Sequence, residues 1–169
     1  MASHPVRLLF VCIGNTCRSP LAAAVASALL SPRVHAESAG VTETGRPAAS
    51  DAIAVLQERF GIDLSTHRSR HLDEVALAQF DILIALDPIV YAPLREQCPV
   101  PPPEILLWPV HDPYMAGLDA YHQCLIQLQA TIEADVRRSG WRGEREGWPL
   151  QVAHTSYFRR GNRREGGVC

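Results

Sequence analysis

Residues 7–30, RLLFVCIGNTCRSPLAAAVASALL, set a short apolar run against a tight polar turn and then an alanine-rich helical pattern. The run at residues 7–11 shows no apolar–polar alternation, the pattern of a strand covered on both faces. After the turn, apolar residues at positions 21, 25, 28 and 29 mark a helical side, with Ser19 as N-cap and Pro20 as the first helical residue. A chain that repeats strand–turn–helix is driven toward a parallel sheet with helices on both faces.

The unit does repeat. VHAESAG (34–40) reads as a second strand, and residues 50–60 as a second helix with Ile53, Leu56 and Phe60 on one side, stopped by Gly61. FDILIAL (80–86) is the clearest buried strand, and Asp87-Pro88 opens a short helix to about Gln97. PVPPPE is a stiff linker into a fourth strand, ILLW. Residues 118–138 then carry a long helical stripe of Tyr121, Leu125, Leu128, Ile132 and Val136. At 169 residues the chain is expected to hold one domain, at 1–139. Residues 140–169, with six Gly and six Arg, read as a basic, disordered extension, pinned if at all by Trp141 or Trp148.

Composition narrows the chemistry. All sixteen basic residues are Arg and none is Lys, which excludes Schiff-base catalysis and a Walker-type nucleotide loop. Residues 1–140 carry ten Arg against fifteen acids, so nucleic acid is not the expected partner. Cys12, Cys17, Cys98, Cys124 and Cys169 are odd in number and form no C-x-x-C pair. Neither a disulfide scaffold nor a zinc site fits them. With no long apolar stretch and no signal-peptide pattern, the expected address is cytoplasmic and away from membranes.

Ligands of open parallel sheets bind beyond the carboxyl ends of the strands, which is where Cys12 should sit. The turn that follows it, Ile13, Gly14, Asn15, Thr16, Cys17 and Arg18, contains two residues that tolerate left-handed backbone, Gly14 and Asn15. Such a loop can curl with several N–H groups inward, making an anion nest at a helix N-terminus. The same field favours a thiolate, so Cys12 is expected to be nucleophilic near neutral pH. Arg18 adds a planar fork for two phosphoryl oxygens, and Ser19 a hydroxyl for the thiolate or the departing charge. In a chain this rich in Arg, C-x5-R alone is weak; its place after a strand, with Gly-Asn inside and Ser-Pro after, gives it weight. Thiolate attack on phosphorus also needs a proton donor for the leaving group, and Asp112 in HDPY should follow the fourth strand at the same edge. Tyr114 would line the pocket there. Asp87-Pro88 reads only as a helix cap.

Together, VCIGNTCRSP and the distant DPY resemble the low-molecular-weight protein tyrosine phosphatase family. The likeness runs over about residues 6–138 and includes SAG (38–40), GRPAASDA (45–52), HRSR (67–70) and FDILIALD (80–87). It implies a single-domain α/β fold, a doubly wound four-stranded parallel sheet with helices on both faces, and no metal or organic cofactor. It also implies Cys12 as the nucleophile that becomes a phosphocysteine, Arg18 as the transition-state clamp, and Asp112 as general acid and then base. Asn15 and Ser19 would hold the loop and thiolate, His67 would support them from behind, and Cys17 would be a reversible disulfide partner of Cys12. The partners implied are phosphorylated proteins and phosphate or other oxyanions.

Two positions depart from the tyrosine-specific pattern. The VTETG loop after SAG lacks an aromatic wall, leaving Tyr114 as the main ring contact. Thr16 stands where a branched apolar residue is usual, as in the related phosphoarginine phosphatases, whose hydroxyl there can bond a guanidinium. Phosphotyrosine is therefore the first expected substrate and phosphoarginine the second. A thioredoxin-coupled arsenate reductase ranks lower: Cys98 resembles one relay cysteine, but Leu86-Asp87 occupies the place of another. A non-catalytic phosphate-binding module would need neither a thiolate nor a proton donor.

Overall fold

The computed structural model describes residues 4–42, 44–98 and 103–139. Residues 99–102 of the expected PVPPPE linker and the expected basic extension at 140–169, with Trp141 and Trp148, lie outside them. The elements run β1 (Val6–Val11), α1 (Arg18–Leu30), β2 (Val34–Ala39), α2 (Ser50–Phe60), β3 (Ile82–Ala85), α3 (Pro88–Gln97), β4 (Glu104–Leu107) and α4 (Leu118–Ser139). Two single-turn 3-10 segments, Leu72–Glu74 and Leu77–Gln79, precede β3; sequence reading did not anticipate them.

The four strands form one parallel sheet in the order β2-β1-β3-β4, with Val11 paired to Ala39 on one side and to Ala85 on the other. The chain moves from β1 outward to β2 and then crosses back to β3, so the strand order reverses between β1 and β3. That switch point opens a crevice beyond their carboxyl ends.

The unbroken apolar run of β1 follows from its central place. Leu8, Phe10 and Cys12 enter one core with α1, α2 and α4, while Leu9, Val11 and Ile13 enter a second with α3 and the 3-10 turns. With both faces covered from Leu8 onward, only the first residues of the strand, Val6 and Arg7, reach its margin, and there Arg7 pairs with Glu37. Phe10 meets Trp108 at 5.9 Å between ring centroids, a tilted contact between β1 and the first residue past β4.

Two expectations about α1 are corrected. The helix begins at Arg18 with Cys17 as N-cap, and no side chain caps it. Ser19 is therefore inside the first turn, where its hydroxyl serves the preceding loop instead of the helix end. Its buried side is Leu21, Ala22, Val25, Ala26 and Leu30, whereas Ala28 and Leu29 are exposed. The small alanines let α1 lie close against the sheet, α2 and α4 at once, which turns the buried stripe away from the one the large residues suggested. The end of α2 is as expected, with Gly61 left-handed at φ 66°. In α2 itself Ala52, Val55 and Leu56 are buried, with Ile53 and Phe60 at the margin.

Candidate active site

The loop between β1 and α1 is buried from residue 12 to residue 18. Its carbonyls are tied outward. Ile13 O accepts from Val41 N (2.8 Å) and Thr42 Oγ1 (3.2 Å), Asn15 O from His67 Nε2 (2.7 Å), Thr16 O from Ala49 N (2.9 Å) and Cys17 O from Leu21 N (3.3 Å). Across a trans peptide the N–H of the next residue points opposite to the carbonyl. Outward carbonyls at 13, 15, 16 and 17 thus turn the N–H groups of Gly14, Thr16, Cys17 and Arg18 into the loop. Asn15 N is there already, donating to Cys12 Sγ at 3.3 Å. The result is an inward ring of amides at a helix N-terminus, the geometry that holds a tetrahedral anion.

Of the two loop residues that tolerate a left-handed backbone, Asn15 takes it, at φ 53°, and Gly14 does not. Each polar atom of Asn15 is engaged, since Nδ2 donates to Ser19 Oγ (2.8 Å) and Oδ1 accepts from Arg70 N (3.0 Å). Ser19 Oγ lies 3.0 Å from Cys12 Sγ and 3.3 Å from Ala39 O. Cys12 is 2% exposed, yet its sulfur faces an amide and a hydroxyl rather than hydrocarbon alone. His67 is held neutral: burial pushes it down, the bond to Asn15 O opposes this, and Arg68 and Arg70 add to the drop. Because a carbonyl only accepts, Nε2 carries the proton.

Arg18 joins three loops. Nη1 donates to Asp87 Oδ2 (2.8 Å) and Val110 O (3.1 Å), and Nη2 to Asp112 Oδ2 (3.2 Å). Burial would weaken its charge, but the Asp87 bond and the charges of Cys12, Asp112 and Asp87 hold its pKa above the usual value. Its Nε is buried and meets no acceptor among the described residues. An orphaned donor of that kind is costly, and an anion oxygen beside the loop would satisfy it. Arg18 and Asp112 are thus brought together as expected. Asp87, read from sequence as a cap alone, does cap α3 through Oδ1 to Ile89 N (2.9 Å), and with its other oxygen fixes Arg18. The only signal for that second role was its place after the strand next to β1.

Tyr114 stands beside Asp112, its N–H donating to Asp112 Oδ1 at 3.1 Å, with the ring half-exposed. Thr16 is buried, its Oγ1 3.6 Å from Cys17 Sγ. Cys17 Sγ also lies 3.2 Å from the hydroxyl of Tyr121, which sequence reading placed only in a core stripe. Burial pushes the Cys17 thiol up against the opposing bonds to Tyr121 and Thr16, and pushes Cys124 up to about 12. Among the described residues no cluster of His, Cys, Asp and Glu is placed to hold a metal, and no helix is long and apolar enough to cross a membrane.

The chain is similar to known proteins over most of its described residues. The model of the family described as low molecular weight phosphotyrosine protein phosphatase matches residues 7–138. A probable low molecular weight protein-tyrosine-phosphatase, EpsP of Ralstonia nicotianae, is 31% identical over 138 residues, covering 78% of this chain and 94% of its own. The protein-arginine-phosphatase of Geobacillus stearothermophilus is 49% identical over 69 residues, 40% of this chain and 45% of that one. The solved YwlE arginine phosphatase of the same organism superposes with a TM-score of 0.71 at 29% identity, over 79% of this chain and 92% of its own. Arsenate reductase 2 of Staphylococcus epidermidis is 27% identical over 130 residues, 75% of this chain and 93% of that one. The chain belongs to the low molecular weight phosphotyrosine protein phosphatase family, hydrolases of phosphate monoesters.

Proposed function

We propose that the protein hydrolyses phosphotyrosine in proteins through a phosphocysteine at Cys12. The observation that supports this most is the meeting of the Cys12 loop, Arg18 and Asp112 within hydrogen-bond distances at the switch point of the sheet. The phosphoryl group seats in the amide ring of residues 13–18, with Arg18 Nε and Nη2 on its oxygens. Cys12 Sγ, reacting as the thiolate beside Asn15 N and Ser19 Oγ, forms the S–P bond as the P–O bond to the phenol breaks. Asp112 gives its proton to the departing oxygen. In the second step Asp112 takes a proton from water, the water oxygen bonds phosphorus, the S–P bond breaks and phosphate leaves. The dianion takes over Nη2 from Asp112, which frees that carboxyl to serve the departing oxygen. Asn15 and His67 hold the loop, and Tyr114 and Thr16 are the walls of the slot.

A second substrate, phosphoarginine, is favoured by Thr16. Its hydroxyl stands in the loop where an apolar branch would favour a ring, and the local likeness to an arginine phosphatase points the same way. The arsenate reductase reading has less support. The place after β3 is filled by buried Leu86 and by Asp87, which is committed to Arg18, so a relay from Cys12 to Cys98 lacks a member. The deciding experiment compares kcat/KM on phosphotyrosine and phosphoarginine peptides for wild type and Thr16→Ile. Preference for phosphotyrosine in both proteins supports the first substrate. A wild type that prefers phosphoarginine, switched by Thr16→Ile, replaces it with the second. Turnover that persists in Cys12→Ser overturns the mechanism for either.

A further inference from the structure

We infer that this enzyme selects phosphorylated polypeptides that carry a large apolar side chain within two residues of the phosphorylated one. The inference rests on the phosphatase reading above. Its ground is an apolar rim whose two sides are both hung from Arg18.

Six large apolar side chains are exposed among the described residues: Leu29, Ile89, Tyr114, Met115, Leu118 and Ile126. Singly scattered, such residues need no explanation. Here Ile89, Tyr114, Met115 and Leu118 all lie on the loops and first helical turns that leave the carboxyl ends of β3 and β4, the edge where the Cys12 loop opens. Two identical devices fix Ile89 and Tyr114. Asp87 gives Oδ2 to Arg18 and Oδ1 to the N–H of Ile89, two residues on. Asp112 gives Oδ2 to Arg18 and Oδ1 to the N–H of Tyr114, also two residues on. The guanidinium that faces the phosphoryl group therefore sets an apolar side chain at each of its flanks.

Met115 extends the rim. It is 88% exposed and holds a left-handed backbone at φ 57°, a conformation shared among the described non-glycine residues only by Asn15. An L side chain is penalised there, and glycine or asparagine is not. Nothing Met115 buries within the fold offsets that penalty, and it directly follows Tyr114, whose N–H is bonded to Asp112. Unbranched and polarizable, methionine adapts to partners of varied shape. An extended peptide advances about 3.3 Å per residue, so a side chain one or two positions from the phosphorylated residue comes down on this rim. The occupant is the substrate chain because the rim is continuous with the reacting site.

The test uses the full chain, as wild type, Ile89→Ser and Met115→Ser, on three substrates: a small aryl phosphate, a phosphopeptide flanked by Leu, and the same peptide flanked by Ser. Each peptide carries whichever phosphorylated residue the protein prefers. Wild type should favour the Leu-flanked peptide about tenfold in kcat/KM, the scale of partly burying one such side chain. Each variant should lose most of that preference and keep its rate on the aryl phosphate, which does not reach the rim. Normal aryl phosphate turnover with no preference between the peptides overturns this inference alone. Absence of aryl phosphate turnover in wild type overturns the phosphatase reading, and this inference with it. Sedimentation in which either substitution dissociates a dimer without altering peptide preference assigns the rim to a second copy and also overturns it.

Discussion

Gly40, the last residue of SAG, is where the loop is most sensitive to a single added carbon. A Cβ at this position would lie 2.7 Å from Ile13 O, 2.9 Å from Asn15 N and 3.0 Å from Asn15 Cβ. Ordinary contact begins near 3.4 Å, so the tightest neighbour must retreat by about 0.7 Å, and it is main chain with no rotamer to yield. The crowded atoms are those the site uses. Ile13 O anchors the loop to Val41 N and Thr42 Oγ1, and Asn15 N is the amide on the sulfur of Cys12. Gly40→Ala should therefore cost about 2 kcal/mol of stability, as overpacking a tight interior does, lowering Tm by about 5–10 °C. Displacing the anion ring by a fraction of an ångström should lower kcat/KM on an aryl phosphate by about 10–100-fold. Thermal unfolding and steady-state kinetics on the same preparation read both. A variant within a degree of the wild-type Tm and within twofold of its activity would show that the carbonyl–amide geometry around residue 40 does not set the loop.

Asp87→Ala removes a 2.8 Å partner of a guanidinium that is almost wholly buried. With Asp112 still in place and Asp87 partly exposed, the expected loss is about 2 kcal/mol in chemical denaturation, with a higher KM for aryl phosphates. Asp112→Asn should slow turnover strongly for poor leaving groups and weakly for activated phenolates. An equal loss across a leaving-group series contradicts its role as proton donor. The folded state holds His67 below the ordinary histidine range, so it refuses a proton that the unfolded chain accepts as pH falls below about 6.5. Its contribution is intact above that pH and declines below it, until the folded form titrates too. Denaturation series should show wild type losing stability relative to His67→Gln on acidification, and parallel curves would contradict the assignment.

Much of the scaffold was legible because it follows from local rules. β1 reads as an apolar run from Leu8 to Val11 because it is central, and α2 is bounded as expected because Gly61 ends it. The strand–loop–helix reading put Cys12, Asn15 and Arg18 on one loop, and the structure folds that loop around the sulfur of Cys12. The reading did not reveal what reaches that loop from far along the chain. Asp87 obeys the rule for a helix cap, so its local role hid the oxygen that binds Arg18, 69 residues away. Tyr121 obeys a helical stripe, and the stripe is silent about where its hydroxyl points. Ser19 was misplaced as an N-cap because capping preference is a local average. The bonds from Ser19 to Cys12, Asn15 and Ala39 override it. Gly40 gave no sign either: its φ is not left-handed, and only the approach of residues 13 and 15 explains the missing side chain.

The claim under all of this is that the sulfur of Cys12 takes up the phosphoryl group inside the amide ring. Rapid acid quench of the enzyme during turnover of an aryl phosphate, followed by peptide mass mapping, tests it directly. A phosphoryl adduct on Cys12 that forms and decays at rates compatible with turnover is the expected result. Full turnover with no adduct on any cysteine, or with the adduct on a residue other than Cys12, would contradict it.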